Sequence, residues 1–357
     1  MKKMKVLIVG SDLKVKGGMV SVIRNYIDEK NWSHSEITYI PSYIENSLLP
    51  MLTYYLKAII LIQKHLMSKQ VDLVHLHMSE RGSFYRKSTL IMLCKLYRVK
   101  IILHHHGAEF ENFYLFSNKV VKRYIRYILN TVDLNLVLSH RLVPMLQGIQ
   151  PKAKVKVLYN AVRNYPNIRY NPLAKGVLIL GRLGERKGTY DLLRAIRYLD
   201  QRLPKELIFY LCGDGDIDQV EDLVIDYRIE HRIGHIGWID AVKKEEILKD
   251  TMIHVLPSYN EGLPMSILET MAYGIPNIST RIASIPEVIL HEKNGYLIEP
   301  GDLEALAIYI EKLVKDTKLR TAMSQQAYRM IQQRFSIENH MERLEQYYKK
   351  VINNEYT

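Results

Sequence analysis

The chain has 357 residues, more than one ordinary hydrophobic core organises, so about two domains are expected. Hydrophobic residues make up 47% and charged residues 25%, a globular balance that excludes a disordered or fibrous chain. The net charge of +12 is uneven: residues 1–165 hold 25 Lys and Arg against 10 Asp and Glu, and residues 166–357 hold 25 against 28.

The basic half calls for an anionic partner. No zinc-finger spacing, RNP-type motif or basic-region zipper accompanies it, so nucleic acid is set aside and an anionic membrane surface preferred. Lys2, Lys3 and Lys5 precede an apolar run that ends at once in Gly10–Ser11–Asp12, which reads as a first strand and not a signal peptide. The apolar region Leu48 to Leu66 is broken by Pro50, Lys57, Gln63 and Lys64 and does not read as a membrane span. A cytoplasmic protein, peripheral on the inner face of the membrane, is expected. Cys94 and Cys212 each sit in an apolar run and read as buried reduced thiols.

In chain order, strands are expected at Lys5–Val9, Ile37–Ile40, Val71–Met78, Lys100–His105, Leu134–Leu138 and Val155–Leu158. Helices are expected between them at Val20–Asp28, Leu48–Ser68, Lys87–Tyr97 and Asn118–Asn130. The pattern then restarts. Strands fall at Gly176–Leu180, Leu207–Cys212, Ile233–Ile236, Ile253–Leu256 and Asn277–Thr280, with helices at Tyr190–Leu199, Asp218–Tyr227, Lys243–Lys249 and Leu263–Ala272. Such alternation predicts parallel sheets with crossover helices. The fold class is therefore α/β, with two Rossmann-like doubly wound domains facing across a cleft where ligands bind at strand ends. The first domain spans 1–165 and the second 166–335, meeting in the polar segment Asn164–Ala174. The tail from Asp302 is helical, and a last helix over 336–357 is expected to cross back to the first domain.

The densest chemical signal is Glu261–Gly262–Leu263–Pro264–Met265–Ser266–Ile267–Leu268–Glu269, which follows a strand and Ser258–Tyr259–Asn260. Pro264 suits the first turn of a helix, Gly262 admits a close ligand, and the free amides of a helix start suit a phosphate. Glu261 at the mouth and Glu269 about two turns on can accept hydrogen bonds from two sets of sugar hydroxyls. A second signal is Gly181–Arg182–Leu183–Gly184–Glu185–Arg186–Lys187–Gly188 after a strand. Arg182 and Lys187 are fixed cations of the kind that stabilise a departing diphosphate. A third is the loop Gly17–Gly18 after Lys14 and Lys16, too short for a dinucleotide fingerprint.

A fourth is His104–His105–His106–Gly107, with His75 and His77 on a neighbouring strand. His104 and His106 share a face, and His105 opposes them. A metal site is one reading. A strand end beside a cleft explains the histidines without one, and no carboxylate or cysteine stands at ligand spacing, so no metal is expected. Gly213–Asp214–Gly215–Asp216 is a further Asp–x–Asp after a strand. On the helix Asn118–Asn130, Lys119, Lys122, Arg123 and Arg126 recur at steps of three and four, and Arg81, Arg86 and Lys87 extend a basic patch suited to anionic lipid.

On these residues the chain resembles glycosyltransferase family 4, of the two-domain type called GT-B, over nearly its whole length. The resemblance implies a retaining transfer of a hexose or N-acetylhexosamine from a nucleotide-sugar, UDP first among the candidates. The acceptor is a lipid-linked or polysaccharide chain of capsule, exopolysaccharide, O-antigen or teichoic acid. It implies that Glu261 contacts the transferred sugar and Glu269 the nucleotide ribose. The backbone of Gly262, Leu263, Pro264 and Met265 then meets the phosphates, Asn260 is a further donor-binding residue, Arg182 and Lys187 bind the diphosphate, and Gly17 and Gly18 lie near it. Gly237 borders the base, and His106 stands beside the reacting sugar carbon. Glu109 and Glu111 follow in a loop able to orient the acceptor hydroxyl. No cofactor is implied, since the nucleotide-sugar is a substrate, and the Gly–Asp–Gly turn needs no metal. Tyr159–Asn160–Ala161–Val162 matches the inter-domain segment, with Ala161 where Gly is usual. A sugar-nucleotide epimerase of the same fold and a non-catalytic sugar-nucleotide or glycan-binding subunit are the rival readings.

Overall fold

The β-branched runs form two separate parallel sheets. The computed structural model describes residues 3–29, 32–165 and 170–356. Lys2 of the basic N-terminus and Pro166 of the expected linker lie outside the described residues. The chain divides into two compact units, one of residues 1–161 and 337–357, the other of residues 162–336.

In the first unit the strands are β1 (Met4–Gly10), β2 (Ser35–Pro41), β3 (Leu73–Met78), β4 (Lys100–His105), β5 (Leu134–Val137) and β6 (Val155–Val157). They lie in the order β2-β1-β3-β4-β5-β6, all parallel. The helices are α1 (Gly18–Asp28), α2 (Leu48–Met67), α3 (Gly82–Leu96), α4 (Phe110–Phe116), α5 (Lys119–Thr131) and α6 (Leu142–Ile149). Buried Leu7, Val9 and Leu76 make one face of the sheet's centre apolar, and Ile8 and Ile102 lie with His75 on the other, which is buried too. α3 begins at Gly82, five residues before the expected start, because Phe84 turns inward and extends the buried stripe. The short α4 and α6 carry too few residues for a readable period.

In the second unit the strands are β7 (Gly176–Leu180), β8 (Ile208–Cys212), β9 (Ile233–Gly237), β10 (Thr251–Leu256), β11 (Asn277–Thr280) and β12 (Gly295–Ile298), and the order is β12-β11-β10-β7-β8-β9. Helices α7 (Thr189–Leu199), α8 (Ile217–Asp226), α9 (Ala241–Lys249), α10 (Met265–Ala272), α11 (Leu303–Lys315) and α12 (Thr317–Met330) complete it. Val162 N–H donates to the carbonyl of Phe335 at 3.0 Å, and Val162 bridges Ser336, so both chain passages at the division are tied within this unit.

The last helix, α13 (Ile337–Ile352), belongs to the first unit. Leu344, Tyr348 and Val351 are buried there, and the backbone N–H of His34 donates to Glu345 at 2.8 Å. Cys94 and Cys212 are free and buried, and burial pushes both thiols up to about 12.

Candidate active site

In the second unit the strand order reverses between β7 and β10, so the loops after those two strands diverge and leave a crevice between them at the carboxyl edge. The two loops are locked together. Gly188 sits in the left-handed region at φ 69°, and a side chain there would put its Cβ 2.1 Å from the carbonyl of Pro257. Tyr259 N–H donates to the Arg186 carbonyl at 2.9 Å, and the Arg186 guanidinium donates to the Asn260 carbonyl at 3.3 Å. This accounts for Arg186, a cation to which the sequence assigns no task.

The lock places Lys187 Nζ against Glu261 Oε1 as an ion pair, with side chains only 13% and 6% exposed. Ser258 Oγ donates to the same carboxylate at 2.8 Å. Ser258 is anchored in turn, its carbonyl accepting from Thr280 Oγ1 at 2.6 Å. Behind this layer His254 Nδ1 meets Asn277 Oδ1 at 2.6 Å. Asn277 spends its amide on the Ile275 carbonyl, so its oxygen accepts and His254 carries the proton on Nδ1. Burial holds the His254 pKa down to about 4, so the ring is neutral near pH 7. Ser258 was quoted in the sequence only as part of the segment before the motif, and Thr280, His254 and Asn277 were not singled out. The signal for those three was polar residues inside otherwise apolar strands.

Arg182 stands on the same loop as Lys187, is 62% exposed, and lies 3.9 Å from Asp214. The Lys187 side chain passes over Gly181, whose φ is 149°. The Asp–x–Asp after β8 is engaged by its own unit: Tyr190 donates to Asp216 at 3.0 Å, and the Asp214 carbonyl accepts from Leu183 N–H at 2.6 Å. Glu269 does not join Glu261. It pairs with Lys244 on α9 at 3.2 Å, a partner the sequence did not point to. Pro264 is corrected from the first helical turn to the N-cap, at ψ 125°. It offers no side-chain cap to the first amides of α10, and Leu263 and Met265 beside it are buried. Gly262 accepts from Ser284 N–H at 3.4 Å, and Gly237 turns at φ 118° before exposed Trp238.

The first unit holds the remaining expected residues. Gly17, at φ 140°, is the N-cap of α1, and Gly18 is that helix's first residue. His75, His77, His104 and His106 stack on one face of β3 and β4, with ring centroids 4.2–5.4 Å apart in neighbouring pairs. His77 Nδ1 meets His106 Nε2 at 2.8 Å, and His104 Nδ1 meets His75 Nε2 at 3.3 Å. His75 Nδ1 reaches Tyr348 of α13 at 2.7 Å. His77 Nε2 and His104 Nε2 are buried without a partner. A lone pair tolerates that better than an N–H, so the hydrogen-bond network assigns both protons to Nδ1. His77 then donates to His106, which keeps its own proton on Nδ1. Burial drives His106 down to about 3 and the other three well below 6.5, so all four rings are neutral.

Ring nitrogens of His75, His77 and His104 come within 4.8 Å of one another. The ring of His75 stacks on those of His77 and His104, which are tilted by 39° to each other. Among the described residues no carboxylate joins the group, and four of its six ring nitrogens are engaged in the hydrogen bonds above. His105 points to the other face, against Asn135 at 3.1 Å. Two expectations change. Glu109 is the N-cap of α4 and Glu111 lies in its first turn, so they begin a helix and not a loop; Arg81 pairs with Glu109 at 3.1 Å. Lys87 is not a surface cation: it is 3% exposed, donates to Ser42, and burial lowers its pKa to about 7.

The model of Glycosyl transferases group 1 matches residues 171–330, and that of Glycosyltransferase Family 4 matches residues 17–163. The chain belongs to the family 4, group 1 glycosyltransferases. This glycosyltransferase is 26% identical over 297 residues to the N-acetyl-alpha-D-glucosaminyl L-malate synthase of Bacillus anthracis, covering 80% of this chain and 76% of that one. It is 26% identical over 323 residues to the UDP-Gal:alpha-D-GlcNAc-diphosphoundecaprenol alpha-1,3-galactosyltransferase of Escherichia coli, covering 84% and 80%. Among solved structures, Anabaena HepE in complex with UDP and glucose superposes with a TM-score of 0.77 at 15% identity, covering 97% of this chain and all of that one. The fold is GT-B.

Proposed function

We propose that this glycosyltransferase moves a hexose or N-acetylhexosamine, with retention, from a UDP-sugar to a lipid-linked or glycan acceptor of bacterial surface polysaccharide synthesis. The observation that carries the reading is the buried Lys187–Glu261 pair at the β7/β10 crevice, with Arg182 on the same loop. A protein that only needed stability would gain little from burying such a pair. A diphosphate recruits Lys187, and the carboxylate of Glu261 is then open to sugar hydroxyls.

In the step itself the bond from the anomeric carbon to the diphosphate oxygen breaks, and a bond to the acceptor oxygen forms. The acceptor proton leaves with the diphosphate. Arg182 and Lys187 stabilise the charge that develops on the leaving group, and amides at the start of α10 receive a phosphate. These cations supply what a metal would otherwise provide, so no metal is required. His106, held neutral, offers Nδ1–H to a hydroxyl beside the reacting carbon. Glu269 takes the ribose, Gly237 borders the base, and Glu109 and Glu111 face the acceptor. The UDP donor is supported by the two comparison proteins whose names carry UDP, and the lipid-linked acceptor by the diphosphoundecaprenol enzyme. A polyprenyl-linked acceptor requires the enzyme to work at a membrane surface, on its cytoplasmic side where nucleotide-sugars are made.

The test is a thermal-shift panel of UDP-, GDP-, ADP- and CMP-sugars with Lys187→Ala as control. A ligand at about 100 times its dissociation constant adds about 2.7 kcal/mol to the stability of the folded state. A shift with UDP-sugars that vanishes in Lys187→Ala supports the assignment. A folded protein that responds to none of them removes it.

A further inference from the structure

One layer of the first unit has an unusual surface. α3 packs between α2 and α5: Tyr55 of α2 donates to the Arg86 carbonyl at 2.6 Å, and Phe84 of α3 meets Tyr124 of α5 edge-on at 5.8 Å. The three helices contain nine Lys and Arg and no Asp or Glu. Of the nine, only Lys87 is buried.

α2 is apolar on two sides. Tyr55, Ala58, Ile62 and Leu66 face the core. On the outer side Leu49, Leu52, Leu56 and Ile60 follow at steps of three and four, and each is 48% exposed or more. A helix on a soluble surface carries polar residues there. α3 ends in Leu96, 77% exposed, and the first turn of α5 carries Val120, 77% exposed, among Lys119, Arg123 and Arg126. Apolar side chains ringed by cations and free of acids fit one medium, the boundary of an anionic bilayer, where the leucines enter the acyl edge and the cations meet phosphates. No helix among the described residues is long and apolar enough to cross a membrane, so α2 lies in the interface and does not span it.

We infer that the α2–α3–α5 face is the surface by which this chain docks on an anionic lipid bilayer, with α2 as the inserting element. This deepens the reading of a membrane-bound acceptor and rests on it. It also corrects the basic patch expected from sequence: α2 supplies the apolar anchor, and Lys87 supplies nothing.

The test is co-sedimentation of the full chain with phosphatidylcholine vesicles, with and without about a third phosphatidylglycerol, at low and high salt. Wild type is expected to bind the anionic vesicles and to release in high salt. Leu49→Gln/Leu52→Gln/Leu56→Gln is expected to weaken binding at least tenfold. Lys119→Gln/Arg123→Gln/Arg126→Gln is expected to weaken it about 100-fold, at about fivefold per cation. All six positions are exposed, so both variants should melt as wild type does. Ile308→Gln, an exposed apolar site on α11 in the other unit, should bind as wild type.

Absence of binding at low salt overturns the proposal, as does undiminished binding by the leucine variant. A dimer in solution that the leucine variant dissolves, with no vesicle binding, also overturns it and assigns the face to a second copy. A UDP-sugar thermal shift on the same preparations separates the two readings. Vesicle failure with the shift intact removes only the docking face, and vesicle binding without the shift removes only the donor assignment.

Discussion

The two units share a doubly wound plan and differ in what they bury. The first hides a stack of neutral histidines inside β3 and β4, while the second hides an ion pair between the loops after β7 and β10. Their charges differ as well: the first unit holds 27 Lys and Arg against 14 Asp and Glu, and the second 23 against 24. A charge placed in a loop at a strand-order reversal can find an opposite charge on the next loop, as Lys187 finds Glu261. A titratable ring placed mid-strand finds only neutral partners, other rings or an amide such as Asn135, so burial strips its proton. The same fold therefore makes one unit sensitive to acid and the other sensitive to loss of a single side chain.

The largest expected effect follows from that difference. His75, His77, His104, His105, His106 and His340 of the first unit all have lowered pKa values, chiefly through burial, with His105 and His340 near 4 and His106 near 3. In the second unit only His254 is so lowered among the described residues. An unfolded histidine takes up its proton below about pH 6.5, whereas these folded ones do not until far lower. Their stabilisation is therefore complete above pH 6.5 and is lost as pH falls, by up to about 1.4 kcal/mol per pH unit for each ring. Hydrogen-exchange protection of β4 should collapse between pH 7.5 and 5 while that of β8 falls far less. Equal losses in both sheets would break the comparison.

Next is Gly188→Ala. The Cβ would meet the Pro257 carbonyl at 2.1 Å in a left-handed backbone, so the second unit should lose about 3 kcal/mol in urea unfolding. Gly148→Ala on α6, where a Cβ meets nothing within 4 Å, should be neutral or mildly stabilising. Lys187→Ala comes third. It should lower kcat about 100- to 1000-fold, as removal of one fixed transition-state donor does. Lys187→Arg should recover only part, since a planar fork does not replace a point charge beside Glu261. A small loss in both variants would show that the buried pair serves the fold and not the transfer.

Both sheets were legible because parallel strands covered on two faces read as short β-branched runs. Lys5–Val9 and Gly176–Leu180 needed no tertiary knowledge. Glu261 and Lys187 were legible as a set because glycines, a proline and charges crowd two strand ends. What stayed hidden depended on distance in sequence. His340 reaches Tyr26 at 2.6 Å from the far end of the chain, and Tyr348 reaches His75 at 2.7 Å. Gly295–Ile298 was not read as a strand. Lys87 looked like part of a solvated basic patch because its neighbour Arg86 is a cation too, yet the helix phase turns it inward.

The smallest expected effect tests whether Glu269 belongs with Glu261. The Glu269–Lys244 side chains are 21% and 35% exposed, so their pairing contributes at most about 0.5 kcal/mol to stability. Its interest lies in occupancy. Glu261 is held by Lys187 and Ser258 inside the crevice, whereas Glu269 is restrained by one partly exposed lysine that could swing away. If ribose hydroxyls take Glu269, they must first displace Lys244, and binding is weakened by that exchange. Lys244→Ala should then raise UDP affinity two- to threefold in calorimetry, and Glu269→Gln should lower it about tenfold, the usual scale for a hydrogen bond to a charge. The double variant should match Glu269→Gln, because the lysine acts only through the carboxylate. A fall in affinity for Lys244→Ala alone would instead make Lys244 a direct contact of the nucleotide, a third cation beside Arg182 and Lys187.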